Sequence, residues 1–286
     1  MEPVTNLLKA LINISKSSDL DLTDKKYDSE EKTRIQAVGA GLEVFIRDSF
    51  CGVPGTITNR KEKYYGVFSW LGSKNNPPDA MLVSSDAIEI KKHEGTRSSY
   101  IALNSSPPRS KLMHDDSKIL AACRDKEDTP WTKDYLYAIG GINNKNLKEI
   151  IFCYGDCFVA KDEIYQKPVD AISTSLEKLK DEGMELRETN ELGGVTKIDP
   201  LDHTGLRVRG MWGLKSPSKI FENVIGANGS EALLVVAIMR KEKFESFPNK
   251  DRDSLSQNSF QVKEFKAKDP NDPQKEIDLV LIKYSK

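Results

Sequence analysis

The amino-acid sequence predicts a mixed α/β fold in which a central sheet is flanked by helices. Two observations support this class. The beginning of the chain has apolar residues at helical spacing, and the remainder has many short strand-like apolar runs. The 286 residues are 38% hydrophobic and 30% charged, a balance typical of a globular chain with a sizeable core.

Helical patterns occur at three places in the sequence. Residues 5–16 carry leucines at spacings of three and four, and Thr5 is the candidate cap. Residues 33–50 show a similar spacing of apolar positions, with Glu43 among the polar residues on other faces. Residues 162–180 give the third pattern. We therefore expect two amphipathic helices before the first strands and one between later strands.

The strand-like runs are short, rich in apolar residues and separated by turn-forming residues. They cover residues 64–70, 79–83, 87–92, 99–103, 135–140, 149–154, 206–212, 232–239 and 277–283. The last two runs predict extra C-terminal strands, and the polar segment between them, residues 241–261, is poor in strand-forming side chains.

Charge and composition exclude some classes of protein and leave others open. The chain has 43 Lys and Arg against 44 Asp and Glu, so a strongly basic pI does not argue for nucleic-acid binding. Carboxylates that hold a metal would, however, cancel basic side chains placed elsewhere on a binding face. No apolar run approaches 18 residues, so we expect no membrane segment and a cytoplasmic protein.

Cysteine and histidine spacing gives no sign of a zinc or disulfide framework. The four cysteines include no CxxC pair, and we expect reduced thiols in or near the core. The residues His93, His114 and His203 lack the spacing of metal ligands.

Residues 75–92 predict a β-hairpin. Two apolar runs flank residues 84–86, whose types suit a tight turn, and two prolines stand before the first run, where a missing N–H does little damage. In the second strand the period of two puts Glu89 and Lys91 on one face. Asp79, at the far end of the partner strand, is therefore expected beside Glu89.

Two carboxylates and one ammonium at a sheet edge suit the hydrolysis of phosphodiesters. Asp79 and Glu89 are the predicted ligands of Mg²⁺, which prefers carboxylate and phosphate oxygens. Lys91 is predicted to orient or deprotonate the attacking water and to offset charge on the phosphate. Burial favours a neutral lysine and nearby carboxylates favour a charged one, so the sequence leaves its protonation state open.

This hairpin resembles the PD-(D/E)XK signature of type II restriction endonucleases and related nucleases. The matching residues are Pro78-Asp79, then nine residues, then Glu89-Ile90-Lys91. The resemblance implies the mixed central sheet of that fold. It also implies a catalytic role for Glu43, because the fold usually supplies an additional acid from a helix before the first catalytic strand.

A wider resemblance connects the chain to the NgoPII-like type II restriction enzymes. The matching segments span most of the chain from about residue 35 to 225. They are 68–79 (FSWLGSKNNPPD), 102–111 (ALNSSPPRSK), 137–140, 154–157 (YGDC), 190–193 (NELG) and 206–212 (LRVRGMW). The chain departs from the family pattern beyond about residue 228 and at residues 92–97, which puts the exact recognition sequence in doubt more than the chemistry.

The resemblance implies a type II restriction endonuclease. Such an enzyme uses Mg²⁺ to hydrolyse both strands of double-stranded DNA at a short G·C-rich palindrome of the GGCC type, and leaves 5′-phosphate ends. A palindrome mirrors a two-fold protein, so we expect a homodimer, with a cognate DNA methyltransferase as functional partner. We expect one nuclease domain over residues 1–286, with a catalytic core at about 33–225 and an extension at about 226–286.

Two segments are the predicted DNA contacts. The residues that follow the hairpin include many side chains able to bond phosphates or base edges. They are His93, Thr96, Arg97, Ser98, Asn104, Ser105, Ser106, Arg109, Ser110 and Lys111. In the second segment, Arg207 and Arg209 share one face of the strand predicted over residues 206–212. Arginine pairs bidentately with guanine, so a G·C-rich site favours these two side chains as readers.

Other functions remain open at this point. A structure-specific or repair nuclease of the same fold would use the same hairpin without strong sequence preference. In a non-catalytic DNA-binding or partner-binding protein, Asp79, Glu89 and Lys91 would form an ordinary solvated charge cluster. In that case Arg207 and Arg209 would be the exposed face of an edge strand.

Overall fold

The computed structural model describes residues 4–23, 34–73, 76–95, 99–128, 130–189, 191–226 and 231–286. Within these ranges the helices follow in chain order. They are α1 (Leu7–Lys16), α2 (Arg34–Cys51), α3 (Arg60–Tyr65), α4 (Ala121–Arg124), α5 (Asp162–Glu177), α6 (Pro217–Ile220), α7 (Glu222–Ile225), α8 (Lys241–Ser246) and α9 (Asn249–Gln257). Among the described residues, no helix is both long and apolar enough to cross a membrane.

The strands begin after the first three helices. They are β1 (Phe68–Trp70), β2 (Ala80–Leu82), β3 (Ala87–Glu94), β4 (Tyr100–Ala102), β5 (Lys111–Met113), β6 (Thr132–Asn143), β7 (Asn146–Tyr154), β8 (Glu185–Arg187), β9 (Gly193–Thr196), β10 (Leu206–Val208), β11 (Gly213–Lys215), β12 (Leu234–Arg240), β13 (Gln261–Asp269) and β14 (Asp272–Ser285).

The large central sheet has the order β1-β2-β3-β6-β7-β12-β14-β13, and β5 pairs with the start of β6. It is mixed, because β3 pairs with β6 and β7 with β12 in parallel, whereas the other neighbours are antiparallel. Two small sheets, β10-β9-β8 and β11-β4, lie outside it. This architecture confirms the predicted mixed α/β class and the additional C-terminal strands.

Side chains on the two faces of the central sheet belong to two apolar clusters. In β6 the alternate residues Leu136 and Ala138 join the cluster that includes α1 and α2. The intervening residues Tyr135, Tyr137 and Ile139 join the other cluster, with β4 and β11. Because helices or loops cover both faces, the strand is almost continuously buried.

Some elements differ from the sequence-based prediction. Asn6, not Thr5, caps α1, since its Oδ1 accepts a hydrogen bond from the Lys9 N–H at 3.1 Å. The run over residues 64–70 starts as the end of α3, and only its last residues form β1. The run over 206–212 forms a strand only as far as Val208.

Candidate active site

The hairpin of β2 and β3 brings together the acids predicted from the sequence. The strands pair antiparallel with Ala80 opposite Ile88, so Asp79 precedes β2 at the level of Glu89. Asp79 Oδ2 accepts a hydrogen bond from the Ile90 N–H at 2.6 Å. This bond fixes the aspartate against the backbone of β3.

Glu89 is held at both carboxylate oxygens. Lys91 Nζ lies 2.7 Å from Glu89 Oε1, which confirms that the two side chains share one face of β3. The Tyr135 hydroxyl donates to Glu89 Oε2 at 2.6 Å. Sequence reasoning missed this tyrosine, which lies on β6, opposite Ala87 of the neighbouring strand.

Burial and like charge alter the ionisation of this group. Burial, followed by the charges of Glu89 and Glu43, raises the pKa of Asp79 to about 7. Burial alone would lower the pKa of Lys91, but the charges of Glu89 and Asp79 outweigh it and raise that pKa above its usual value. Lys91 is therefore a cation at neutral pH, which answers the question that the sequence left open.

Helix α2 connects Glu43 to the hairpin through a second residue that the sequence analysis did not identify. Arg47 Nη2 lies 3.2 Å from Glu43 Oε2, one helical turn away. The same nitrogen donates to the Asp79 carbonyl oxygen at 3.1 Å. Arg47 thus ties α2 to the backbone at the start of the β2–β3 hairpin, while Glu43 stays about half exposed.

The chain before the hairpin approaches Asp79 very closely. Gly72 has a φ of +82°, a left-handed conformation that favours glycine. A Cβ atom at this position would lie 2.6 Å from the Asp79 carbonyl oxygen. The neighbouring Trp70 donates its indole N–H to the Pro78 carbonyl oxygen at 3.2 Å. The close approach of Gly72 to Asp79 and the hydrogen bond from Trp70 to Pro78 together fix the backbone that leads into β2.

One cleft of about 730 Å³ contains the acids, the lysine and several predicted DNA contacts. Its lining includes Asp79, Glu89, Lys91, Asn104, Ser105, Ser106, Glu191 and Arg209. The loop after β4 and the segment after β10 therefore border the same space as the hairpin.

Arg207 and Arg209 both contact Glu191, a residue that the sequence analysis quoted only within the NELG segment. Arg207 Nη2 and Arg209 Nε each lie 2.7 Å from Glu191 Oε1. Arg207 Nε also donates to Oε2 at 3.1 Å. Their common partner agrees with the predicted placement of the two arginines on one face.

Other predicted DNA contacts lie elsewhere. Arg109 is only 3% exposed and forms an ion pair with Asp116, with 2.5 Å between Nε and Oδ2, so its charge is satisfied inside the protein. Lys111 pairs with Asp134 and lines a different cavity. Arg97, with its neighbours 96 and 98, falls outside the described residues.

That second cavity, of about 930 Å³, lies at the turn of the hairpin. Lys243 of α8 places its Nζ 2.7 Å from Asp86 Oδ1 and 2.8 Å from Asp134 Oδ2. The Tyr154 hydroxyl donates to Asp86 Oδ2 at 2.7 Å. This buried network fastens the turn between β2 and β3 to the C-terminal part of the chain.

The donor set of the cleft fits a hard divalent cation. Asp79 and Glu89 supply carboxylate oxygens. Burial, followed by the negative charge of Glu89, raises the pKa of Asp79, and a bound cation would offset both effects. Across the described part of the chain, no group of three or more His, Cys, Asp or Glu side chains is arranged to hold a metal. Magnesium commonly rests on one or two carboxylates, with waters and substrate phosphates as its other ligands.

Comparison with known proteins identifies the family of the chain. Residues 5–271 match the family model described as NgoPII restriction endonuclease. The chain is 38% identical over 283 residues to the type II restriction enzyme NgoPII of Neisseria gonorrhoeae, covering 98% of this chain and 99% of that protein. No significant match was found among solved structures. The chain belongs to the NgoPII restriction endonuclease family, and it is a type II site-specific deoxyribonuclease.

Proposed function

We propose that this enzyme uses Mg²⁺ to hydrolyse both strands of double-stranded DNA at a short G·C-rich palindrome of the GGCC type, leaving 5′-phosphate and 3′-hydroxyl ends. The observation that carries the proposal is the common cleft. Asp79, Glu89 and Lys91 border the same space as Arg209 and the loop of residues 104–106. A phosphate at the acids would therefore lie close to side chains able to contact neighbouring bases.

Asp79 and Glu89 would hold the metal. When bound, Mg²⁺ supplies a Lewis acid that polarises the scissile phosphate and lowers the pKa of a coordinated water. The bond from the Ile90 N–H to Asp79 and that from the Tyr135 hydroxyl to Glu89 orient the two carboxylates before substrate arrives.

Lys91 acts as a cation in this proposal. Its raised pKa keeps Nζ protonated, so the ammonium donates hydrogen bonds to the phosphate or to the attacking water and offsets the growing negative charge. Glu43, paired with Arg47 at the edge of the hairpin, is the additional acid. Its negative charge helps the cleft attract a cation.

Bases and phosphates are contacted by residues around the cleft. We propose Arg207 and Arg209 as the guanine readers, because both guanidinium groups are largely exposed, at 68% and 60%. Asn104, Ser105 and Ser106 are the next candidates. Arg97 and Lys111 stay predicted phosphate contacts, whereas the buried Arg109 is left out.

The assembly and cellular setting complete the proposal. We propose a homodimer, because a palindromic target presents two equivalent half-sites. We also propose a cytoplasmic enzyme whose partner methyltransferase modifies the same sequence. The chain from 1 to 286 would form one nuclease domain, which is supported by the parallel pairing of β12 with β7 in the sheet that carries the catalytic hairpin.

Digestion of a sequenced, unmethylated plasmid tests the function. Purified protein should give discrete fragments with Mg²⁺ and none with EDTA, and sequencing of the fragment ends gives the site and the stagger. Lys91→Ala and Asp79→Ala should abolish cleavage without unfolding the protein. Lys92→Ala is a matched control, since this lysine follows Lys91 and packs near Gly39 on α2.

The other outcomes exclude the proposal in separate ways. A smear or nicking without preferred ends would instead indicate a structure-specific nuclease. Specific DNA binding in EDTA without cleavage in Mg²⁺ or Mn²⁺ would indicate a non-catalytic binding protein. Full cleavage by Lys91→Ala or Asp79→Ala would remove the site assignment.

A further inference from the structure

Glu191 is the common partner of two arginines at the edge of the catalytic cleft. It lies two residues before β9, and the intervening Leu192 donates its N–H to the Val208 carbonyl oxygen at 3.1 Å, which brings the segment beside β10. Oε1 of Glu191 is 2.7 Å from both Arg207 Nη2 and Arg209 Nε. One carboxylate therefore fixes two guanidinium groups relative to each other.

The exposure of the three side chains shows that the carboxylate is buried and that the two arginines face solvent. The Glu191 side chain is only 10% exposed, while those of Arg207 and Arg209 are 68% and 60% exposed. The carboxylate lies underneath, and the arginines extend from it towards solvent. A free arginine side chain has many rotamers, so holding it before DNA arrives lowers the entropic cost of a directional contact.

The charge balance argues for base contacts more than for simple attraction to phosphate. A carboxylate 2.7 Å from two guanidinium groups cancels part of their positive charge, and this weakens non-specific binding to the DNA backbone. Orientation, by contrast, matters most where a guanidinium must meet guanine O6 and N7 together. Glu191 and Arg209 line the same cleft as Asp79 and Lys91, so the oriented group lies beside the proposed reaction centre.

We propose that Glu191 is a positioning residue for sequence discrimination. It holds Arg207 and Arg209 in the orientation in which they contact guanine edges, and it limits their attraction to other DNA. This inference rests on the proposed function, because it assumes that the enzyme recognises a G·C-rich site.

The test compares affinity for two short duplexes. One contains the site obtained from the plasmid fragments, and the other has a single G·C pair of that site changed. Binding is measured by fluorescence anisotropy in Ca²⁺ at one fixed salt concentration, so that cleavage does not interfere. The variants are Glu191→Gln, Glu191→Asp and the control Glu188→Gln, which removes the same charge from a nearby exposed position.

We expect Glu191→Gln to lower the affinity ratio between the two duplexes at least tenfold, because the variant loses one well-oriented guanine contact. Its affinity for the changed duplex should be equal to or higher than that of the unaltered protein. Glu191→Asp, which keeps the charge on a shorter side chain, should also lose discrimination. Glu188→Gln should keep the ratio.

An unchanged affinity ratio in Glu191→Gln would overturn the inference. If binding to both duplexes strengthens equally, so that the ratio stays the same, Glu191 only competes with DNA for the arginines. Failure of the proposed function would look different, because it would show in the plasmid digestion, which would then give no discrete fragment ends. Thermal unfolding of each variant shows whether the fold is intact. If Glu191→Gln does not fold, the affinity ratio of Glu191→Asp tests the inference instead, and an unchanged ratio there overturns it.

Discussion

The Tyr135 hydroxyl donates a hydrogen bond to Glu89 Oε2 at 2.6 Å, across two parallel strands of the central sheet. Tyr135 is only 2% exposed, so packing fixes its ring and the position of its hydroxyl. The bond occupies one oxygen of Glu89 and leaves Oε1 beside Lys91. The core of the sheet thereby determines how a proposed metal ligand faces the cleft.

Tyr135→Phe should weaken the response to Mg²⁺ while the fold stays intact. Without the hydroxyl, Glu89 gains rotational freedom, and changes of this kind typically cost about 10- to 100-fold in metal affinity or activity. The measurement is the Mg²⁺ concentration that gives half-maximal cleavage. Tyr137→Phe is the matched control, because its hydroxyl contacts the backbone of Arg109 instead of the Glu89 carboxylate. The same Mg²⁺ dependence in both variants would contradict the role given to Tyr135.

Asp79→Asn should stabilise the metal-free protein at alkaline pH. The pKa of Asp79 is about 7 in the folded protein against an ordinary value of 3.8, so the folded state binds this proton more tightly than the unfolded state. The stability that the proton contributes is complete below pH 3.8 and is lost as pH rises through 7. Asparagine can still accept from the Ile90 N–H and has no such loss. Unfolding by urea in EDTA should show the variant gaining about 3 kcal/mol over the wild type between about pH 5 and pH 8. If the free energies of unfolding of the variant and the wild type change with pH in parallel, the pKa of Asp79 is not raised.

Gly72→Ala should damage both stability and cleavage. The new Cβ would strain a left-handed backbone and press on the Asp79 carbonyl oxygen, which lies 2.6 Å from its position. Gly183→Ala is the control, because Gly183 has the same φ of +82° but open space around the added atom. We expect about 1 kcal/mol of destabilisation from conformation alone in the control. Gly72→Ala should lose more, together with cleavage rate. If Gly72→Ala and Gly183→Ala change the free energy of unfolding and the cleavage rate by the same amounts, the contact with Asp79 is unimportant.

Lys243→Ala should lower the free energy of unfolding by about 3 kcal/mol, because it leaves the buried Asp86 without its cation. Lys241→Ala removes a partly exposed lysine at the start of α8 that pairs with Glu264 of β13, and it should cost much less than Lys243→Ala. Urea denaturation of the two variants compares these costs directly. Similar losses would mean that the Asp86 network contributes little.

The local parts of the fold and site follow from the sequence. Alternation along residues 87–92 predicts that Glu89 and Lys91 share a face, and the turn residues predict that Asp79 lies opposite. Both signals depend on neighbours within the hairpin. The helix over residues 33–50 is similarly local, and it matches α2 within one residue at each end.

Features that depend on distant contacts were missed or misjudged. Tyr135 is 46 residues from Glu89, and nothing in an apolar strand marks one tyrosine as a partner of an acid. Arg109 is buried against Asp116, although its sequence context is polar. Strand β13 was missed because its charged residues, mostly lysines, suggest a solvated segment, and it is in fact the exposed edge of the sheet.

The ion pair between Lys243 and Asp86 also concerns the order in which the enzyme becomes complete during synthesis. The two residues are 157 positions apart, so at roughly 5–20 residues per second the lysine is made roughly 8–30 s after the aspartate. During that interval the turn between β2 and β3 lacks the ion pair that holds it to α8. Cleaving competence should therefore arrive only after Lys243 has been synthesised and has left the ribosome.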